Sequence, residues 1–336
     1  MNALVEQVLE MEVVGSEVKA AALNHAVEAH RAALPLLCSI YNTITDVDGL
    51  VDLYWNSDAM AVAVVGFMAS ALFCIIAGPL TGDYSWVDRM WSLWPGLYTW
   101  HFAVRSDYDS RLVIMASLAT LWSVRLTYNF ARKGGYKLGH EDYRWPELRK
   151  RMPPLAFQVF NVFFISIFQH YLLLMFVSSS YVAYLGRGTD LTLVDMAAAV
   201  LFFVFFLIET ISDEQQWAFQ TRKHAMQPQE RTGDFARGFL TRGLFRYSRH
   251  PNFFAEQCLW WSFYLFAVGV SGQVLGWAVV GPLVLSLLFQ GSTQFTEELS
   301  LAKYPAYARY QQTTSRLIPC APGPDMDSID EDKKTQ

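Results

Sequence analysis

Residues Arg242–Glu256, RGLFRYSRHPNFFAE, crowd three arginines, a histidine and a Pro-Asn step against an apolar run, QCLWWSFYLFAVGV. Pro251 suits the first turn of a helix, where its missing N–H costs nothing. A helix starting there sets Arg249, Asn252 and Glu256 three and four residues apart on one face. Arg249 and His250 then stand at a helix N-terminus, where free N–H groups and the dipole favour an anion such as phosphate. Basic residues at a membrane edge also meet lipid headgroups, and composition alone divides evenly between the two. Glu256 favours a site, because a carboxylate inside a membrane helix is costly and usually functional.

Three further stretches carry polar chemistry. In FFLIETISDEQQWAFQTRKH, residues Glu209, Asp213, Gln216 and Gln220 recur at helical spacing, and Arg222 and Lys223 extend the stripe. A solvated helix end explains its later half but not Glu209, which lies within the apolar run. Asp88, in DYSWVDRMWSLW, either pairs with Arg125 inside the membrane or joins Arg89 as an interfacial anchor among tryptophans. The loop KGGYKLGHEDYRWPELRKRMP, with His140, Glu141, Asp142, Tyr143 and Arg144, is too polar for a passive connector. Near the C-terminus, Tyr304, Tyr307 and Tyr310 repeat every third residue. With Glu298, Lys303 and Arg316 they form either a lid or a surface helix lying on the membrane.

These residues must be positioned by apolar elements. The chain has 336 residues, 53% of them apolar and 17% charged, with a positive mean hydropathy; this is membrane-protein composition. A net charge of -5 gives no reason to expect nucleic-acid binding. Cys38, Cys74, Cys258 and Cys320 are scattered without a CxxC pair, which argues against a disulfide framework and a zinc site; no metal is expected. His25 and His30 read as a solvated helix face, and the acidic N-terminus lacks the features of a signal peptide. A spanning helix needs ~20 apolar residues. The candidates are 59–80, 86–104, 112–130, 155–185, 191–211, 253–270 and 274–290, with the fourth able to break near Ser178–Ser180. The expected fold is therefore an all-α polytopic bundle of about seven transmembrane helices. Residues 1–58 form an amphipathic N-terminal segment, 59–319 the membrane domain and 320–336 a disordered acidic tail.

Lys and Arg cluster at 132–151, at 222–249 and in the tail. With seven spans all three fall on one side, which the positive-inside rule makes the cytoplasm. Lys333 and Lys334 resemble the dilysine signal of endoplasmic-reticulum membrane proteins. No GxGxxG after a strand, no GxxxxGK[ST], no HExxH and no GxSxG occurs, so any nucleotide is held without a Rossmann domain or P-loop.

GLFRYSRHPNFFAE, DEQQWAFQ and YARYQQTTSRLIP, in that order, together with RLTYNFARKGGYKLGHEDYRWPELR, resemble the steroid 5-alpha-reductase C-terminal superfamily and its domain-of-unknown-function 1295 branch, over roughly residues 83–319. The resemblance implies a multi-pass enzyme that binds NADPH in a pocket at the cytoplasmic side and reduces a lipid C=C bond. Carried over, Asp213, Arg249, His250, Asn252, Glu256, Tyr304 and Tyr310 hold the cofactor, with Arg222 and Lys223 available to its phosphates. The intramembrane acid of the steroid enzymes has no match by motif. Asp88 and Tyr143 are the nearest acid and phenol and stand as the catalytic candidates. Isoprenylcysteine carboxyl methyltransferases, which use S-adenosylmethionine, share the RHP step and a similar ending, but usually lack the Glu that follows the Asn slot. A non-catalytic scaffold is the third class.

Overall fold

The computed structural model describes Glu28, Pro35 and residues 45–137 and 139–327. His25, His30, Lys333 and Lys334 lie outside the described residues. The chain divides into two units, Met1–Asp58 and Ala59–Gln336. In the first, helix α1 (Val47–Asn56) starts at Asp46, whose carboxylate accepts the Gly49 N–H at 2.9 Å, an N-cap bond.

The second unit consists of helices and connecting loops, with no strand among its described residues. Its helices are α2 (Ala59–Thr81), α3 (Trp86–Trp91), α4 (Trp94–Arg105), α5 (Ser110–Arg132), α6 (Arg144–Arg151), α7 (Pro154–Phe176), α8 (Ser178–Leu185), α9 (Leu193–Ala225), α10 (Asp234–Arg237), α11 (Pro251–Ser271), α12 (Trp277–Lys303) and α13 (Tyr307–Thr313). Five of them, α2, α7, α9, α11 and α12, are long and apolar enough to cross a membrane. The expected seven is not reached on that measure, for two local reasons. The second candidate breaks between α3 and α4, where Pro95 restarts the helix. The third is the full-length helix α5, which carries Arg111, Arg125 and Arg132 and is thus too polar.

The fourth candidate breaks at Val177, beside the serine triplet, after a π-helical stretch Asn161–Phe168. The fifth runs on to Ala225, so its apolar run and its polar stripe are one helix. It is launched by a capping box between Thr192 and Asp195 and ends on Arg222, Lys223 and His224, which suit the negative end of a helix dipole. Its outer face exposes Leu193, Val200, Phe203 and Leu207, side chains for which lipid is the natural solvent.

α9 and α11 form the most extensive helix pair, and α5 packs against both. Trp260 sits at the centre of the core, with ring centroids 4.9 Å from Trp122 and 4.3 Å from Phe176. Arg111 pins one end of the bundle: fully buried, it grips Asp195 bidentately at 2.9 and 3.1 Å and donates to Thr189 and Asp190. The opposite end gathers the basic loops, linked through Arg132–Glu214, Arg151–Glu298 and Arg249–Glu297.

The start of the expected disordered tail is ordered. The Cys320 N–H bonds the Tyr247 carbonyl at 3.0 Å, Gly323 N–H bonds Thr313, Asp325 pairs with Arg246 at 3.0 Å and Met326 is buried. The acidic composition that reads as a solvated tail is here complementary to the basic loop beneath it.

Candidate functional site

A polar cluster lies where α5, α9 and α11 meet, and helical spacing supplies each side. α9 contributes Glu209 and Asp213, four residues apart; α11 contributes Asn252, Glu256 and Trp260; α5 contributes Trp122, Arg125 and Asn129. Asp213 Oδ2 accepts from Arg125 Nη1 at 2.7 Å and Asn129 Nδ2 at 2.8 Å, and its Oδ1 accepts from Asn252 at 3.2 Å. Arg125 also pairs with Glu209. Glu256 accepts the indole N–H of Trp122 at 2.8 Å and of Trp260 at 2.9 Å. Arg132 donates twice to Asn129 Oδ1 and pairs with Glu214 at 2.6 Å, which fixes the Asn129 amide so that its NH2 faces Asp213.

Three carboxylates therefore surround one buried guanidinium. Among the described residues, Arg125 Nε is buried without a hydrogen-bond partner, and Glu209 Oε2 has no donor other than a proton shared with the neighbouring Glu256 carboxyl. Orphaned buried polar atoms are rare, because each costs most of its hydration. Here they leave donor and acceptor capacity for a polar ligand.

Farther along α9, about 13 Å from Asp213 at the helical rise, a cavity of about 600 Å3 is lined by Phe219, Arg222, Phe235, Arg237, Arg242 and Asp327, among others. Phe219 and Phe235 stack at 5.1 Å, and Arg222 lies over the Phe235 ring at 5.4 Å.

The structure brings together Asp213, Asn252 and Glu256, three of the residues that the resemblance assigns to a cofactor, and Arg222 faces the cavity. Other assignments change. Arg249 does not share the Asn252–Glu256 face. Its guanidinium grips Glu297 of α12 at 2.6 and 2.9 Å and donates to the carbonyls of Gln311 and Thr314. His250 Nε2 bonds the same carboxylate at 3.0 Å. The backbone N–H groups of Arg249 and His250 bond the Ser315 and Arg316 carbonyls, so neither is left for an anion. Both residues clamp the C-terminal chain onto the start of α11.

Lys223 is buried and donates to the Gly238 carbonyl at 3.0 Å, which commits its charge to the loop. Tyr310 is buried with Phe239, Tyr307 and Met326 and donates to the Phe245 carbonyl; Tyr304 packs over Phe239 at the edge of the same cluster. Burial pushes the Tyr310 phenol above its ordinary pKa, as it does that of Tyr307. These tyrosines are a small core, neither a lid nor a membrane-surface helix.

Asp88 pairs neither with Arg125 nor with Arg89. It accepts from Arg144 at 3.1 Å and from Trp145 Nε1 at 2.7 Å, while Arg89 pairs with Asp83 at 2.7 Å and holds the carbonyls of Gly135, Lys137 and His140. The polar loop is dense because it is bolted to residues 83–89, and Tyr143 on it is 57% exposed. Neither residue is in a position that the geometry makes catalytic.

Burial pushes the Asp88 carboxyl up to about 6, with Arg144 opposing the rise. A carboxyl with a raised folded-state pKa favours the folded chain at low pH, and that contribution is lost as pH rises through about 6. Between about pH 5 and about pH 7.5, wild type should lose ~1–1.5 kcal/mol of stability relative to Asp88→Asn. Unfolding in detergent at several pH values measures this, and a pH-independent difference would contradict it.

Five contributors were not legible as such. Glu297 looks like the solvated twin of Glu298; its only signal is its position on a helix continuous with an apolar span. Arg237 and Arg242 read as two of many loop cations. The Trp122 and Trp260 indoles read as core.

Five membrane-length helices among the described residues, two of which share a buried polar cluster with α5, define a polytopic helical membrane protein. The chain belongs to the DUF1295 family, described as a protein of unknown function, whose model matches residues 72–314; that family is part of the steroid 5-alpha-reductase-like superfamily. It is 40% identical over 300 residues to the "Uncharacterized protein C594.04c" of Schizosaccharomyces pombe, an alignment covering 84% of this chain and 86% of that one. No solved structure matches it.

Proposed function

We propose that the protein is an NADPH-dependent reductase acting on a C=C bond of a lipid-like substrate, in the endoplasmic-reticulum membrane with its basic end in the cytosol. The observation that carries this reading is the Asp213–Asn252–Glu256 cluster, shared by α9 and α11, with an aromatic, arginine-lined cavity about 13 Å farther along α9. An extended dinucleotide presents a carboxamide at one end and phosphates with a base at the other. The two features match those ends, and the unpartnered Arg125 Nε, with the Glu209–Glu256 carboxyl pair beside it, offers capacity for the amide end.

In this reading Asn252 and Glu256 hold the carboxamide, with Asp213 fixing the Asn252 amide from behind. Arg125 holds the local charge, and Phe219 and Phe235 offer a face for the base. The bound cofactor would supply a hydride. The apolar bundle would take the lipid and exclude water. Membership of the superfamily agrees with the reading and is equally compatible with a methyltransferase.

The test is titration of detergent-purified protein with NADPH, NADH and S-adenosylmethionine, read by heat of binding. Saturable NADPH binding that is weakened at least tenfold by Asn252→Ala is expected, as about 1.4 kcal/mol corresponds to tenfold and a buried amide contact is worth about that much. Indifference to NADPH, or saturable binding of S-adenosylmethionine instead, would overturn the assignment.

A further inference from the structure

Asp327 sits at the wall of the α9 cavity, between two guanidiniums. Arg237 Nη2 reaches it at 2.7 Å and Arg242 Nη2 also contacts it. The residues around it hold it there: Asp325 pairs with Arg246, and Met326 is buried against Phe239, Tyr307 and Tyr310. Asp234 is a fixed part of the wall. It accepts from the Thr241 N–H at 2.8 Å and hydroxyl at 2.6 Å, and it also pairs with Arg237. Asp327 is different, for it comes from the far C-terminal segment, and its contacts among the described residues are with the cations it touches and the short turn to Asp325.

The charge count makes the point. Arg222, Arg237 and Arg242 line the cavity against Asp234 and Asp327. Withdrawing Asp327 takes from Arg242 the carboxylate it touches and from Arg237 one of its carboxylates, beside the stacked Phe219 and Phe235. Two convergent guanidinium forks suit a phosphomonoester better than a carboxylate, since phosphate has three equatorial oxygens and a charge near −2. The Arg242 side chain is 64% exposed and that of Asp327 is 36% exposed, so this ion pair is solvent-screened, while the 7% exposed Arg237 is the firmer hold on the carboxylate. Hydrogen bonding to Arg237 holds the Asp327 carboxyl below its ordinary range, so it is anionic at neutral pH.

We propose that the cavity is a phosphate site for a nucleotide, and that Asp327 is an internal plug which the phosphate displaces from Arg237 and Arg242. The inference rests on the nucleotide reading above and adds which guanidiniums meet the phosphate and what occupies them beforehand. The tethered carboxylate competes at an effective concentration in the millimolar range, which lowers apparent affinity by the plugged fraction.

The experiment titrates full-length protein in detergent with 2′,5′-ADP, inorganic pyrophosphate and, separately, dihexanoyl phosphatidic acid, for wild type, Asp327→Asn and Asp327→Asn/Arg242→Gln. Asp327→Asn should bind 2′,5′-ADP about tenfold more tightly than wild type, and the added Arg242→Gln should remove that gain. Both substitutions lie on exposed side chains and leave the buried Asp234 and Arg237 in place, so folding is retained. Affinities within twofold of wild type, or no binding of any probe by either protein, would overturn the plug. NADPH binding with no effect of Asp327→Asn sinks the plug alone and leaves the reductase reading. A gain for 2′,5′-ADP or pyrophosphate in a chain indifferent to NADPH supports the plug and sinks the reductase reading. A gain confined to phosphatidic acid overturns the nucleotide assignment in favour of a lipid headgroup.

Discussion

Glu297→Ala should destabilise the protein by about 3–5 kcal/mol, the cost of leaving a buried charge without its partner. Arg249 is 9% exposed, and Glu297 supplies both oxygens of its bidentate pair as well as the acceptor for His250 and for Gln311 at 3.0 Å. Through Arg249 the same pair ties α12 to the carbonyls of Gln311 and Thr314. Loss of the carboxylate should therefore free the C-terminal segment from the start of α11. Replacing both partners with Met should cost much less than either single change, because an apolar pair leaves no stranded charge. Unfolding in detergent of the two single variants and the double variant gives the coupling energy. Additive losses would show that the pair is not the unit described. One consequence bears on ligands: Arg249→Ala should weaken all ligands alike through lost stability, and not discriminate NADPH from NADH as a direct phosphate contact would.

Arg125→Leu should have an effect of similar size, at the centre of the bundle. Its guanidinium side chain is 9% exposed and is the shared cation of Glu209 and Asp213, with Glu256 close by. Removing it leaves three carboxyls facing one another in a site with little water, again a cost of about 3–5 kcal/mol. Binding of the proposed cofactor should be abolished, since Asp213 loses the donor that orients it toward Asn252. Combining Arg125→Leu with Asp213→Asn should recover part of the stability but not the binding, because it relieves repulsion without restoring the Arg125 donor that orients the residue 213 side chain toward Asn252. Unfolding and NADPH titration of the two variants separate these effects. Full retention of stability in Arg125→Leu would mean that the cluster is hydrated and that Arg125 is not its counter-charge.

Much of the bundle was legible because its signal is local. Apolar runs of membrane length stand out segment by segment, and α2, α7, α9, α11 and α12 lie where those runs are. Pro251 marks the first turn of α11, and the stripe Glu209–Asp213–Gln216–Gln220 lies on one helix because four-residue spacing is a property of a helix alone. Within the candidate site, Asp213, Asn252 and Glu256 lie together because two neighbouring polar stripes carry them. Other boundaries were missed where apolarity and helicity part company. α9 continues fourteen residues past its apolar run, from Ile211 to Ala225, because polar residues continue a helix readily. The second candidate span breaks beside a proline within a run that stays apolar.

Partner choice was not legible at all. Asp88 had Arg89 next to it and Arg125 one span away, yet its partner is Arg144, 56 residues on. Arg249 looked like an anion ligand, and its anion is Glu297 of this same chain, 48 residues on. Asp327 lay in a segment whose composition reads as solvated, and it meets Arg237 across 90 residues. Apolar length, helical period and family membership are sums over neighbouring residues, so the amino-acid sequence by itself determined that this is a helical membrane protein with polar stripes on α9 and α11. Which carboxylate meets which guanidinium depends on how each helix is rotated about its axis and where the loops close. A turn of one residue moves a side chain by about 100 degrees around a helix of 3.6 residues per turn. Only the packed bundle sets those rotations, through the fit of Trp122, Phe176 and Trp260 at its centre, and so only the tertiary structure decided that three acids share Arg125 and that Arg249 is already taken.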